Sequence, residues 1–281
     1  PAGARGYQSI FWNIAYFDVV IFWPINGVLL AACLQLPRRY SLPLFVAGGG
    51  VNLAVSLSLG PVDFSDWTNP LMDLLQVFIA MVLTRRLCGA SQDMRHPWRM
   101  VSFALGAALP AVALTTLINV GVIASPLHHG WQTQAFMLRH FFLMEYLGLV
   151  IITPCLLLIG KRKTRSTRPT KTVEGAVLLA LLGLIVAWVF SQAQPVLFLV
   201  FLPLMVMAYR LSPPWVGAGL IMTAMISSVM TLYGLGPIRH SQVEAIQAQA
   251  WAPELMHQAP LYFAFMLAAT ATALPISALI T

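Results

Sequence analysis

Long apolar stretches separated by short polar segments dominate this chain. Several of them reach the length of about 18 residues that a helix needs to cross a hydrocarbon layer about 30 Å thick. Hydrophobic residues fill 59% of the 281 positions and charged residues only 9%, whereas a soluble domain carries roughly a quarter charged residues. Water is therefore not the main solvent, and we expect a single integral membrane domain over residues 1–281.

The apolar stretches predict an all-α fold, a polytopic bundle of about nine transmembrane helices. The segment 195–209 is short and bracketed by Pro195 and Pro203, which favours a tilted, broken or re-entrant helix. Residues 1–13 are expected to form an outer interfacial stretch, 161–171 a basic cytoplasmic linker and 234–259 an outer loop. The crossings are expected at about 14–36, 42–60, 69–88, 99–124, 136–160, 172–191, 195–209, 213–233 and 260–280.

The positions of the basic residues predict the orientation. Sixteen Lys and Arg against nine Asp and Glu give a net charge of +7. Most of these cations lie in alternate loops, near 37–41, 85–99, 160–172 and 209–214, so these loops are expected to face the cytoplasm, as is the C-terminus. An outer start without a signal peptide favours a further crossing before residue 1.

The same basic residues bear on the partners of the chain. No stacking aromatic side chains are interleaved with them, so we expect contact with the anionic lipid of the bilayer and no nucleic acid. Cys33, Cys88 and Cys155 lie near the predicted cytoplasmic ends of helices, and their spacing fits no metal motif. They are expected to be small core residues.

Three groups of residues resemble a known family. The first is FWPINGVLLAACLQLPRRYSLPLFVAGGGVNLAVSL at 22–57, and the second is FFLMEYLGLVIITPCLLLI at 141–159. The third pairs NPLMDLLQVFIAMVLTRRL at 69–87 with ELMHQAPLYFAFMLAATATALPISALI at the end of the chain. Together they are similar to the first type of bacterial membrane-associated sensor domain, which precedes GGDEF diguanylate cyclase, phosphodiesterase or histidine kinase modules. Asp73 and Gln76 stand where that family tends to have Asn and then an acidic residue.

The resemblance implies a multi-pass sensory input domain of the bacterial inner membrane. Such a bundle, expected as a homodimer, passes a change of state through its last helix to its own cytoplasmic output domain, foremost a diguanylate cyclase that makes cyclic diguanylate. The chain itself contains no Gly-rich phosphate loop, no GGDEF-like sequence and no catalytic triad pattern. We therefore expect no catalysis within this segment.

Ionisable side chains within the crossings are candidate ligand-binding residues, because charge inside hydrocarbon is costly. Glu145 is the strongest candidate, about two turns into its helix and three residues before Gly148, which permits close helix approach. Asp18, Asp73 and Arg139 are the others.

Each acidic candidate also has a structural interpretation. In this interpretation Glu145 is the structural partner of an Arg or a hydroxyl within the bundle, and Asp18 lies at the outer interface. Asp73 follows Pro70 by three residues and so fits the N-terminus of a helix, where a negative charge is favourable.

Five of the six histidines map to the outer loops or the outer ends of helices: His128, His129, His140, His240 and His257. Histidines gathered at one leaflet are candidates to bind a transition metal or to supply axial ligands to b-type haem. His140 and His257 form the first candidate pair, since each lies near the start of a helix. The alternative is unligated histidines on a wet surface, because none shows the fixed spacing of a metal motif.

Two other function classes compete with a sensor. A secondary transporter or permease of a small solute would show inverted repeats and discontinuous helices, for which only 195–209 offers a hint. A metal-dependent membrane enzyme would combine outer histidines with Glu145, but the sequence has no HExxH-like pair.

Overall fold

The computed structural model describes residues 22–58, 64–89, 93–123, 131–160, 169–192, 196–233, 235–237 and 254–280. Within these ranges all regular structure is helical and there are no strands, which confirms the predicted all-α class.

Nine helices follow one another along the described ranges. Seven are long and apolar enough to cross a membrane, and α1 and α7 are shorter apolar helices, so each predicted crossing corresponds to one helix. Their bounds are α1 Ile25–Gln35, α2 Arg38–Ser58, α3 Phe64–Leu87, α4 from Pro97 to Ile123, α5 Trp131–Gly160, α6 Pro169–Ser191, α7 Phe201–Arg210, α8 Pro213–Leu232 and α9 Glu254–Ile280.

Two of the helices depart from regular α geometry. Helix α4 contains π-helical turns at Ala104–Ala108 and Leu117–Ile123. The first ends just before Pro110, whose missing N–H removes a donor from the regular ladder. A 3-10 turn, Leu197–Val200, leads into α7. The segment 195–209, predicted to be a short crossing, thus contains only a short helix. Helix α9 begins at Glu254, within the segment expected to be an outer loop.

Helix α5 is the centre of the bundle and α2 lies at its edge. In the most apolar stretch of each, 72% of residues are buried in α5 but only 11% in α2. Helices α1, α4, α8 and α9 pack against α5. Helix α2 makes its extensive contacts with α1 and α3. A change in α5 is therefore felt by four neighbouring helices.

Helices α1 and α5 approach closely because glycines face each other at their crossing. A Cβ at Gly148 would overlap the backbone carbonyl of Trp23, and a Cβ at Gly27 would lie 2.6 Å from the Gly148 carbonyl oxygen. Thr153 Oγ1 donates a hydrogen bond to the Gly27 carbonyl at 3.2 Å. Small residues let helix backbones approach in this way inside a membrane.

The basic segments meet at one end of the bundle. Arg85 Nη2 donates to the carbonyl of Cys33 at the end of α1, 3.1 Å away. Arg210 Nε lies 2.5 Å from Glu174 Oε1 and joins the end of α7 to the start of α6. This clustering agrees with the predicted placement of these loops on one side of the membrane.

The three cysteines are buried and form no disulfide, as expected of small core residues. Burial raises the pKa of the Cys88 thiol, although the nearby Arg99 acts in the opposite direction. This thiol therefore stays protonated at neutral pH.

Gly148→Ala is expected to destabilise the bundle, because its methyl group would force α1 away from α5. Overpacking of this kind lowers the free energy of unfolding by about 1–3 kcal/mol. Thermal unfolding in detergent, followed by tryptophan fluorescence, measures the effect. Gly50→Ala is the matched control, since a Cβ there meets nothing within 4 Å. Equal melting temperatures for the two variants would contradict the close packing.

Candidate functional site

Asp73 lies in the interior of α3 and is buried, with 9% of its surface exposed. The interpretation of Asp73 as a helix N-terminal residue is therefore wrong. Helix α3 begins at Phe64 and continues through Pro70, because a membrane helix tolerates a proline when neighbouring helices satisfy the freed backbone groups.

Two amides hold the Asp73 carboxylate. Asn26 Nδ2 donates to Oδ1 at 2.7 Å from α1, and Asn52 Nδ2 donates to Oδ2 at 2.8 Å from α2. The Trp23 side chain is a further hydrogen-bond partner. Charge-assisted hydrogen bonds of this kind stabilise a carboxylate without a basic partner. One side chain thus ties three helices together.

Gln76, one helical turn after Asp73, joins the network to α4 and α5. Thr115 Oγ1 donates to Gln76 Oε1 at 3.0 Å, and the Gln76 side chain also interacts with the Glu145 carboxyl. Gln76 is fully buried, yet its Nε2 atom makes no hydrogen bond of good geometry within the described residues. The amide donor at the Glu145 side of the network is therefore incompletely satisfied.

Glu145 is close enough to Asp73 for their carboxyl groups to interact electrostatically. Backbone contacts explain this proximity: Met144 O accepts a hydrogen bond from Trp23 N at 3.5 Å, and Gly148 packs on the carbonyl of the same residue. The turn of α5 that carries Glu145 is thus fixed on Trp23, whose side chain contacts Asp73. We call Asp73, Glu145, Gln76, Asn26 and Asn52 the polar cluster.

The two salt bridges that join described residues lie away from the polar cluster. The salt bridges in this part of the chain are Arg95–Asp93 and Arg210–Glu174, and both lie at the basic end of the bundle. The described groups that act on Glu145 are the Gln76 amide and the Asp73 carboxyl group, while the expected partnership with an Arg or a hydroxyl stays a prediction.

The remaining candidates are placed as follows. Arg139 is exposed on α5. His140 is 1% exposed, and its ring lies edge-on to Phe141 with 6.3 Å between centroids. His257 belongs to α9, but its side chain is outside the described residues. Asp18, His128, His129 and His240 lie outside them entirely.

Haem and metal binding therefore stay predictions. The described residues contain no group of three or more His, Cys, Asp or Glu side chains able to hold a metal ion. The histidines that would complete a pair with His140 are those whose side chains are not described.

A second buried polar group lies on α9. The Tyr262 hydroxyl is hydrogen-bonded to Ser227 Oγ at 3.0 Å and Ser228 Oγ at 2.8 Å, and it donates to the Ala224 carbonyl at 2.9 Å. This hydroxyl fastens α9 to α8. The next residue, Phe263, contacts the ring of Tyr146 on α5, with 6.1 Å between centroids.

Sequence reasoning missed Asn26, Thr115, Trp23 and Tyr262 as site residues. A usable signal was present, because amide and hydroxyl side chains within an apolar crossing are uncommon and pair across helices. Gln76 entered only through the family resemblance, and Asn52 only as part of the stretch 22–57 that carries it.

Asp73→Ala is expected to destabilise the bundle, since the Asn26 and Asn52 amides lose their acceptor. Each unsatisfied buried donor costs about 1–3 kcal/mol. Asp73→Asn, of nearly the same shape, should keep more of this stability because one amide oxygen remains as an acceptor. Thermal unfolding in detergent ranks the three proteins, with Asp93→Ala in a partly exposed loop as the control. A melting temperature of Asp73→Ala equal to that of the control would contradict the network.

The chain as a whole was compared with known proteins. A family model, MASE1, matches residues 17–281 and so includes every helix of the bundle. No curated protein and no solved structure matches the chain.

Proposed function

Since the chain belongs to the MASE1 family of membrane-associated sensor domains, we propose that the polar cluster receives its signal and that α9 transmits it to a cytoplasmic output domain. The proposed output domain is a diguanylate cyclase, and the proposed location is the bacterial inner membrane with the bundle as a homodimer. The family assignment favours this function over a secondary transporter.

The observation that carries the proposal is the polar cluster itself. It places two carboxyl groups inside a bundle whose other buried side chains are mostly apolar. Ionisable groups inside membrane segments are expensive to bury and typically mark sites of function. The cluster also draws on α1, α2, α3 and α5, so a change in its occupancy acts on four helices at once.

Aromatic contacts offer a route from the cluster to α9. Tyr146 follows Glu145 in α5 and packs on Phe263, which follows the hydrogen-bonded Tyr262. The Tyr146 hydroxyl also donates to the Ala104 carbonyl, 3.3 Å away, at the first π-helical turn of α4. A rotation or shift of α5 near Glu145 is thus passed directly to the first turns of α9.

The direction of α9 supports a cytoplasmic output. Tyr262, near its start, contacts Ala224 in the second half of α8, while Gly217 at the start of α8 packs on Cys155 near the end of α5. Helix α9 therefore runs antiparallel to α8 and ends at the basic end of the bundle. The positive-inside pattern supports a cytoplasmic location for that end.

The mechanism that we propose is a population shift between two arrangements of the helices. A signal that binds one arrangement more tightly increases its population by the difference in binding free energy. Packed helices shift as rigid bodies by about 1–2 Å in such transitions, and α9 carries that shift to the output domain.

Glu145→Gln in the full-length protein is expected to fix the output in one state, because the side chain keeps its shape but loses its ability to carry a charge. Cellular cyclic diguanylate, measured in cells that make the protein, should change several-fold and stop responding to growth conditions. Asp93→Asn is the control. Unchanged cyclic diguanylate in a folded Glu145→Gln protein would exclude a signalling role for the cluster.

Phe263→Ala is expected to uncouple the cluster from the output, because it removes the contact with Tyr146 and leaves the polar cluster intact. Combining Phe263→Ala with Glu145→Gln should then restore the cyclic diguanylate level of Phe263→Ala alone. Phe45→Ala is the matched control, since it breaks an aromatic pair with Phe78 between α2 and α3. Additive effects of the two substitutions on cyclic diguanylate would contradict this route.

A further inference from the structure

Arginines without an acidic partner lie at two neighbouring helix ends. Arg39 is in the first turn of α2, and Arg85 and Arg86 are in the last turn of α3. Asp93 and Glu174, the acids that the structure describes at this end of the bundle, pair with other basic residues. Within the described part of the chain, the three arginines thus present an excess of positive charge at one membrane surface.

Hydrogen bonds bring these two helix ends together. Arg85 Nη2 donates to the Cys33 carbonyl at 3.1 Å, and Cys33 Sγ donates to the Ser41 carbonyl at 3.6 Å. Ser41 lies two residues after Arg39, and Arg86 follows Arg85 directly. The arginines therefore surround one contact between α1, α2 and α3.

Two of the guanidinium groups are held by neighbouring groups. Arg39 Cζ lies 4.6 Å from the centroid of the Tyr40 ring, and this cation–π contact uses the face of the guanidinium while its N–H groups point outward from the edge. Arg85 is half-buried and uses Nη2 for the Cys33 carbonyl, so its other nitrogens keep their donors. A planar guanidinium with several donors matches the oxygens of a phosphate group.

Exposed apolar side chains border the arginines. Leu42 near the start of α2 and Val101 in α4 are both exposed, and Trp98 at the start of α4 is 76% exposed. Cys88 Sγ donates to the Arg99 carbonyl at 3.6 Å, which holds the start of α4 against the end of α3. A tryptophan at a helix end is typical of the headgroup region of a bilayer, and the leucine and valine suit an acyl chain.

We infer that this surface, formed by Arg39, Arg85 and Arg86 with Tyr40 and Trp98, binds the phosphate of an anionic phospholipid. We call it the arginine surface. Positive charge beside exposed apolar side chains fits a lipid headgroup with its acyl chains in the bilayer. A zwitterionic lipid fits less well, because its ammonium group would lie near three cations that no described acid balances.

The bound lipid would also stabilise the edge of the bundle. Helix α2 is the least buried of the spanning helices and makes its extensive contacts with α1 and α3. A phosphate that accepts hydrogen bonds from Arg39 on α2 and from Arg86 on α3 would bridge the two helices. The arginine surface is separate from the polar cluster, so it does not depend on the proposed signalling role.

Quenching of tryptophan fluorescence by brominated lipids tests the site in the full-length protein. The protein is placed in phosphatidylcholine vesicles that contain brominated phosphatidylglycerol or, at the same mole fraction, brominated phosphatidylcholine. The share of Trp98 is obtained by comparing each protein with the same protein carrying Trp98→Phe. We expect phosphatidylglycerol to quench Trp98 more strongly than phosphatidylcholine does.

The double variant Arg39→Gln with Arg86→Gln is expected to lose this preference. Each arginine near the surface changes the affinity for an anionic lipid about fivefold, so the two together change it on the order of 25-fold. The matched control is Lys171→Gln with Arg210→Gln, which removes the same charge at the same end of the bundle. Those residues belong to α6 and α7, whose extensive contacts within the described residues do not include α2, α3 or α4. The control should keep the preference, and thermal unfolding confirms that each variant is folded.

Three results would overturn the inference. The first is equal quenching of Trp98 by the two brominated lipids in the native protein. The second is an equal loss of preference in both double variants, because general attraction to the basic end of the bundle would then explain it. The third comes from adding NaCl or sodium phosphate at equal ionic strength. We expect both salts to weaken the preference equally by screening, whereas a stronger effect of phosphate would indicate a site for soluble phosphate compounds.

Discussion

The need to surround a carboxylate with hydrogen-bond donors inside an apolar bundle organises this structure. Asp73 satisfies that need with amides from α1 and α2, so the relative positions of these helices and α3 are coupled to one side chain. Helix α1 also lies on α5 through Gly27 and Gly148. The charge of Asp73 and the close α1–α5 packing therefore support each other, because a separation of α1 from α5 would move Asn26 and Trp23 relative to Asp73.

The two acids of the polar cluster have unequal freedom, and this inequality fits a receiver. Asp73 is fixed by donors on both oxygens, whereas Glu145 is partly exposed and interacts with Gln76 and Asp73. A fixed acid beside a less constrained one suits the proposed receiving site, because a change at Glu145 then acts on one helix. That helix is α5, which is also the most buried of the spanning helices. Glu145, the proposed receiver of the signal, thus lies on the helix with the most neighbouring helices.

Hydropathy and charge predicted the all-α bundle and its nine helical segments, because the length of an apolar run and the placement of basic residues are local properties of a sequence. Glu145 and Asp73 were identifiable for the same reason, as charges within apolar runs. Their partners were not, because Asn26 and Asn52 lie 47 and 21 residues from Asp73 in the chain, and no periodicity encodes such a pairing. The π-helical turns of α4 were also missed, since they depend on how the helix accommodates Pro110 and its neighbours.

The position of the aromatic contact bears on how the proposed signal reaches the output domain. Tyr146 and Phe263 meet near the start of α9, while the end of α9 lies with the basic segments at the other end of the bundle. A helix of 27 residues spans about 40 Å at 1.5 Å per residue, so it can carry a rigid displacement across the bilayer. The Tyr262 hydroxyl limits that displacement, because its three hydrogen bonds to groups on α8 would break if α9 slid far along its axis. Transmission by a small tilt or rotation of α9 about Tyr262 is therefore favoured over a piston movement along its axis.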